Sequence, residues 1–183
     1  MISTLDGAID VKGRSRPLGG PADQAHLIAL RSRAAVVLVG AGTARLEGYG
    51  PPSKQGLRIG VVTRTCDMDY SAPLFTCGAG FIVTTTSAPE VPVDSLRAGE
   101  TEIDFASVIA QLPDGVIHVE GGPHLNAALL NADLVDAINL TFSSKLTGSR
   151  GPSLARAPHE LRRFSLVNVE VRENLVFARY EKN

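Results

Sequence analysis

An α/β fold, in which helices cover both sides of a largely parallel central sheet with antiparallel strands at its C-terminal edge, is predicted for this 183-residue chain by three observations. Short runs of β-branched and aliphatic residues alternate with segments of helical period, as in strand–helix–strand units stacked into a three-layer sandwich. Two of those runs, residues 35–39 and 116–120, lead into glycine-rich turns that open a helix. Beyond residue 136 the pattern changes to successive strand-like segments at 137–142, 164–172 and 175–180, the last two joined by Glu173-Asn174, a short hairpin signal.

Taken in order, residues 21–33 start with Pro21, which suits the first helical turn, and carry Ala25, Ile28 and Ala29 at helical spacing. They form a helix that packs this face on a sheet. Ala35-Val36-Val37-Leu38-Val39 is apolar without alternation, as a strand buried on both faces requires. A short helix follows Thr43, itself a candidate N-cap. Strands are expected at 57–63 and 80–85, a helix at 104–112 and a strand at 116–120. The helix at 123–132 places Leu125, Ala128 and Leu129 on one face.

Length and composition describe one domain spanning residues 1–183. A chain of this size buries roughly 70% of the surface it exposes when unfolded, enough for a core without disulfides or metal. Hydrophobic residues make up 44% and charged ones 20%, and no apolar run approaches the ~20 residues of a membrane span. The start, Met1-Ile2-Ser3-Thr4, lacks the basic and apolar regions of a signal peptide, which predicts a cytoplasmic protein. Cys66 and Cys77 are isolated and read as reduced thiols. A net charge of −1, with Arg162-Arg163 the one small basic cluster, argues against a nucleic-acid partner. His26 and His159 read as solvated.

The chemistry is concentrated in the glycine turns. In Glu120-Gly121-Gly122-Pro123, two glycines remove side chains that would hold a ligand off the backbone, and Pro123 loses nothing by lacking an N–H at a helix start. The N–H groups behind it, at the positive end of the helix dipole, face an anion. Gly40-Ala41-Gly42-Thr43 repeats the arrangement, and two such turns suit one extended, multiply charged ligand.

Around these turns, Ser3-Thr4-Leu5-Asp6-Gly7, then the segment from Gly40 through Arg45, Glu47 and Tyr49 to Pro51, then Glu120-Gly121-Gly122-Pro123 with Leu134-Val135-Asp136, resemble in content and order the reductase domain of riboflavin biosynthesis. That domain belongs to the dihydrofolate-reductase-like superfamily, and the resemblance covers most of residues 1–148. It implies a dihydrofolate-reductase-like fold with antiparallel edge strands, a homodimer, and NADPH as cofactor. Relatives carry a strand before the Ser-x-x-Asp-Gly segment, so the first strand here is shortened or the start is late. The zinc-ligand pattern of the deaminase that accompanies this domain in the bifunctional enzyme is absent, which leaves a stand-alone reductase without a metal.

The resemblance places Gly40, Gly42, Thr43, Gly121, Gly122, Pro123 and Leu125 beside NADPH, with Glu47 where relatives carry aspartate. It places Asp6, with Ser3, at the junction of nicotinamide and substrate, where Asp6 or an ordered water steers the proton, and Arg31 at the substrate phosphate. Ser15 and Glu120 are further substrate candidates. Asp6 also fits a turn anchor beside Gly7, and Arg31 a solvated helix end. In dinucleotide folds an acidic residue ~20 positions after the glycine turn holds ribose hydroxyls, whereas a basic one accommodates a 2′-phosphate. Here that strand ends in Thr63-Arg64-Thr65, whose arginine fork favours NADPH over NADH, although a plain surface arginine also fits.

The implied small-molecule substrate is a ribosylamino-pyrimidine phosphate, reduced at C1′ to the ribityl product. A pteridine or dihydrofolate-type substrate is the alternative, since Asp6 can pair with an aminopyrimidine edge. A non-catalytic NADP-binding sensor needs almost the same residues. His118, Glu120 and His124 form a two-histidine, one-carboxylate set of the kind that binds metal, but Gly121-Gly122 are better explained by phosphates.

Overall fold

The computed structural model describes residues 1–148, 151–156 and 161–183. In chain order its elements are β1 (Ile2–Ser3), α1 (Pro21–Arg33), β2 (Ala34–Gly40), α2 (Ala41–Glu47), β3 (Arg58–Val62), α3 (Pro73–Thr76) and β4 (Gly80–Thr84). There follow β5 (Ser95–Arg97), α4 (Phe105–Gln111), β6 (Val116–Val119), α5 (Pro123–Asn131), β7 (Ala137–Ser143), β8 (Phe164–Arg172) and β9 (Leu175–Lys182). Two compact units result: Ile28–Gly121, and Met1–Leu27 with Gly122–Asn183. The α/β class stands, with one refinement. The C-terminal strands do not extend the parallel sheet but pair with β1 in a second hydrogen-bonded sheet.

The unit Ile28–Gly121 is built on a five-stranded, all-parallel sheet in the order β5-β4-β3-β2-β6. Val36, Val37, Leu38 and Val39 are fully buried, as are Ile59 and Val61 on β3 and Ile82 and Val83 on β4. This is why the runs show no alternation: both sheet faces are covered. Gly60 lets neighbouring side chains pack closely over the sheet, since a Cβ there would lie 2.6 Å from Phe81 Cζ and 2.8 Å from Leu38 Cδ2. Asp104 caps α4, accepting from Ser107 N at 3.1 Å and Ser107 Oγ at 2.6 Å.

Thr43 is not an N-cap. The helix starts three residues earlier than expected, with Gly40 in the capping position (φ −70°, ψ 142°) and no side chain closing it. Strand β2 runs to Gly40, which still pairs with Val62, so the chain turns directly into α2 and Thr43 falls inside it.

The other unit holds a mixed sheet, β1-β7-β9-β8. Its first strand is two residues long and parallel to β7, Ile2 opposite Thr141. Glu173 (φ 51°) and Asn174 (φ 65°) both adopt left-handed backbone between β8 and β9, the geometry a tight hairpin needs. Leu175 and Phe177 of β9 pack with Ala22 of α1. The buried side of α1 differs from the expected one: Ala25 and Ala29 are exposed and Ile28 is 46% exposed. His26, expected to be solvated, is half-buried, its ring 4.8 Å from that of Phe177. An imidazole with an apolar edge can occupy a core-facing position that a polarity pattern assigns to solvent. Burial, with Arg172 nearby, pushes the His26 pKa below its ordinary value. His159 lies outside the described residues.

Cys66 and Cys77 are free thiols, the first buried and the second exposed. No described helix is long and apolar enough to cross a membrane.

Candidate functional site

In the parallel unit, β3, β2 and β6 are neighbours, so their C-terminal ends lie side by side, the place where open parallel sheets bind ligands. The two glycine turns meet there. Gly40 N donates to Gly121 O at 2.6 Å, and Glu120 N donates to Leu38 O at 2.9 Å. Gly121 has a φ of +81°, which side-chain-bearing residues rarely adopt. Gly42 is exposed, and a Cβ added to it would meet nothing within 4 Å, so its surface is open. Glu47 ends α2, half-buried, before Gly48 closes the helix in left-handed backbone (φ 68°).

At the end of β3 the buried Thr63 turns its hydroxyl toward the following turn, where it accepts from Cys66 N at 3.2 Å and lies 3.4 Å from Thr65 Oγ1. Arg64 points outward and forms an ion pair with Glu102.

Glu120, at the end of β6, is the centre of a buried cluster. Its side chain is 5% exposed. Arg31 binds it with both prongs, Nε to Oε1 and Nη2 to Oε2, each at 2.6 Å. Tyr49 Oη donates to Oε2 at 2.5 Å, His118 Nε2 lies 3.5 Å from Oε1, and the Arg31 guanidinium sits 5.3 Å from the centre of the Tyr49 ring. Burial would raise the Glu120 pKa, but the Arg31 fork and the Tyr49 hydroxyl outweigh it and hold the carboxyl below its ordinary value. Burial and the Glu120 charge push Tyr49 well up, and the Glu120 hydrogen bonds raise Arg31. Arg31 is therefore no solvated helix end: its fork is turned onto a partner within the protein.

In the mixed unit, Asp6 is exposed and closed in by donors. Thr4 Oγ1 donates to Oδ1 at 2.5 Å; Gly148 N, Thr147 N and Thr147 Oγ1 donate to Oδ2 at 2.8, 3.1 and 3.1 Å. The Thr4 hydroxyl leads, over a smaller opposing effect of burial, and with the Gly148 and Thr147 backbone it lowers the Asp6 pKa to about 2. A carboxyl in that range is ionised at neutral pH and has no proton to donate. Asp6 also stands in a turn that Gly7 (φ 85°) closes by donating to Thr4 O at 3.1 Å, with the Thr4 hydroxyl on Asp6 Oδ1. Ser3 is buried with its hydroxyl on Thr4 O at 3.1 Å, and Ser15 is half-buried with its carbonyl accepting from Leu18 N at 2.8 Å.

The start of α5 has Gly122 as N-cap, Pro123 in the first turn, no capping side chain and no acidic residue in that turn. Leu125 is buried in its unit, so only its backbone is offered to a ligand.

Tyr49, Glu102 and Thr147 escaped the sequence reading. Tyr49 stands inside the Gly40–Pro51 motif, two residues beyond Glu47, and an aromatic residue just past a helix-ending glycine was the available signal. His124 is exposed, with Nε2 3.3 Å from Arg156 Nη1. Among the described residues no group of three or more His, Cys, Asp or Glu side chains is placed to hold a metal ion.

Comparison with known proteins bears on the family and the fold. The family model of the RibD C-terminal domain matches residues 1–177. A pyrimidine reductase-like protein from Corynebacterium diphtheriae superposes with a TM-score of 0.83 at 22% identity, over 100% of this chain and 89% of that one. A diaminohydroxyphosphoribosylaminopyrimidine deaminase/5-amino-6-(5-phosphoribosylamino)uracil reductase from Thermotoga maritima gives 0.79 at 21% identity; it is matched over 100% of this chain and 55% of its own length, so this chain spans about half of it. Dihydrofolate reductase from Enterococcus faecalis, solved with NADP(H), gives 0.66 at 16% identity, covering 100% and 93%. No curated protein matches. With the family model extending over nearly the whole chain, this protein belongs to the RibD C-terminal domain family.

Proposed function

We propose that this chain is a pyrimidine reductase of the riboflavin pathway that uses NADPH to reduce a ribosylamino-pyrimidine phosphate. Family membership supports an oxidoreductase of this type. The observation that carries the cofactor reading is the row of strand ends in the parallel unit, where Gly40 and Gly121 are bonded to each other beside the Thr63-Arg64 turn. Within each unit the residues present fit part of a nicotinamide dinucleotide: in the parallel unit Gly42 leaves open surface and Arg64 supplies a cation, and in the other unit α5 starts without a capping side chain or an acidic residue in its first turn.

In this reading Gly40, Gly42, Thr43, Glu47, Gly121, Gly122, Pro123 and Leu125 flank the cofactor, with Thr63 and Arg64 at its 2′-phosphate. The bound cofactor supplies hydride at the nicotinamide. The chain's own groups bind, orient and exclude water. Asp6, held ionised by four donors, is an oriented acceptor for a substrate N–H or O–H and steers rather than supplies the proton. Ser3, Ser15 and Glu120 complete the substrate side; Arg31 reaches it through Glu120, which it fixes in place and in charge.

Loss of NADPH absorbance with a ribosylamino-pyrimidine phosphate, set beside dihydropteridines, tests the substrate. Turnover of the pteridine alone overturns the pyrimidine assignment, and binding of NADPH without turnover of any candidate makes the protein a sensor. Arg64→Ala is expected to weaken NADPH binding by about 1.5–3 kcal/mol, the scale of a charged hydrogen bond, with NADH barely changed. Equal losses for both cofactors would remove Arg64 from the 2′-phosphate.

The same reading takes residues 1–183 as one reductase domain working as a cytoplasmic homodimer. Support for the dimer comes from β8, an edge strand whose Val167, Val169 and Val171 are 50, 50 and 68% exposed. Light scattering at tens of micromolar checks it, and a monomer there removes it.

A further inference from the structure

The Arg64–Glu102 pair places both cofactor-discriminating devices of dinucleotide folds at one strand end. An acidic side chain there receives ribose hydroxyls, and a basic one receives a 2′-phosphate. This chain has both, in contact.

Glu102 is held there by a constrained loop. Gly99 has a φ of +76°, and a Cβ on it would lie 2.0 Å from Glu102 O and 2.9 Å from Asp104 N. Thr86 donates to Gly99 O through N at 2.8 Å and Oγ1 at 3.0 Å, and Ser87 Oγ donates to Glu100 O at 2.5 Å. On the far side Asp104 N donates to Ala98 O at 3.2 Å, while the Asp104 side chain caps α4. The loop's backbone is therefore fixed on both sides of Glu102. Only the side chain has to move.

We infer that Glu102 is a cofactor-specificity residue: it competes with the 2′-phosphate for the Arg64 fork and accepts from the ribose hydroxyls when no phosphate is present. This rests on the nicotinamide-dinucleotide reading above. Both side chains are open to solvent, 60% exposed for Arg64 and 78% for Glu102, so their pair is weak and a phosphate can displace the carboxylate. The displaced carboxylate stays close and repels the phosphate, which tempers the preference for NADPH and leaves NADH a usable ligand. That repulsion acts through solvent and fades with salt.

The test is equilibrium titration of NADPH and NADH, read by nicotinamide fluorescence, on wild type, Glu102→Gln, Arg64→Ala and the double variant, at low and high salt. Glu102→Gln is expected to tighten NADPH about three- to tenfold and to leave NADH unchanged or weaker by up to about threefold, with the gain shrinking at high salt. In the Arg64→Ala background the same substitution should change NADPH binding by less, because the competition has gone. Glu102→Ala, with a melting temperature for each variant, guards against a local folding effect. An unchanged NADPH:NADH ratio in Glu102→Gln and Glu102→Ala overturns the role of Glu102 while the cofactor reading survives. Binding of neither dinucleotide by wild type overturns both.

Discussion

Asp6 and Glu120 are two carboxylates held ionised by opposite means. Asp6 is exposed and satisfied by neutral donors, most of them brought from a loop more than a hundred residues away in sequence. Glu120 is buried and depends on a formal positive charge, with a phenol and an imidazole beside it. Near water, a few oriented N–H and O–H groups suffice to hold a carboxylate charged; in the interior the loss of hydration is large enough that a cation is needed.

The largest separation between the two is expected in turnover. Asp6→Asn should lower it by ~10²-fold or more, as for a positioned proton-handling group, while the NADPH dissociation constant stays near normal. Asparagine retains most turn hydrogen bonds, so near-normal turnover with a lower melting temperature would assign Asp6 to holding its loops together and nothing more. Next in size is Arg31→Ala, which leaves the Glu120 charge buried without its cation and should cost about 3–5 kcal/mol in denaturant unfolding. A loss under about 1 kcal/mol would mean that solvent reaches Glu120 and that the contrast with Asp6 fails. Tyr49→Phe deletes one neutral donor and should cost only about 0.5–1.5 kcal/mol, with part of the effect read as a rise in the Glu120 pKa.

Acid unfolding sharpens the comparison. The folded-state pKa values of both carboxyls are depressed, from unfolded values of 3.8 for Asp6 and 4.5 for Glu120, so each contributes stability above its unfolded pKa and loses it as pH falls. The Glu120 contribution should begin to fade below about pH 4.5 and that of Asp6 between 3.8 and about 2. In Asp6→Asn the lower part of the decline should shrink. An unchanged acid-unfolding profile in that variant would show that the Asp6 hydrogen bonds do not favour its ionised form.

The same contrast explains what the sequence could reveal. Uninterrupted apolar runs announced β2, β3 and β4, and Glu173-Asn174 announced the hairpin, because both signals are local. Strands β1 and β5 and helix α3, of two, three and four residues, are too short for a side-chain period to repeat and so mark them. The glycine turns were legible because a bare backbone leaves a compositional mark. The partners of Asp6 and Glu120 were not: Arg31 and Glu120 stand 89 positions apart, and no periodicity links them. Leu125 illustrates the overlap of the two levels, a motif position whose side chain belongs to the core.

The two units also differ in how the ribosome delivers them. Ile28–Gly121 is one uninterrupted segment, so its parallel sheet can close as soon as β6 has emerged. The mixed sheet has to wait, because the Met1 amino group bonds Asn139 O and Ile2 pairs with Thr141. During synthesis Ile2–Ser3 is therefore left without its partner strand until β7 has been made.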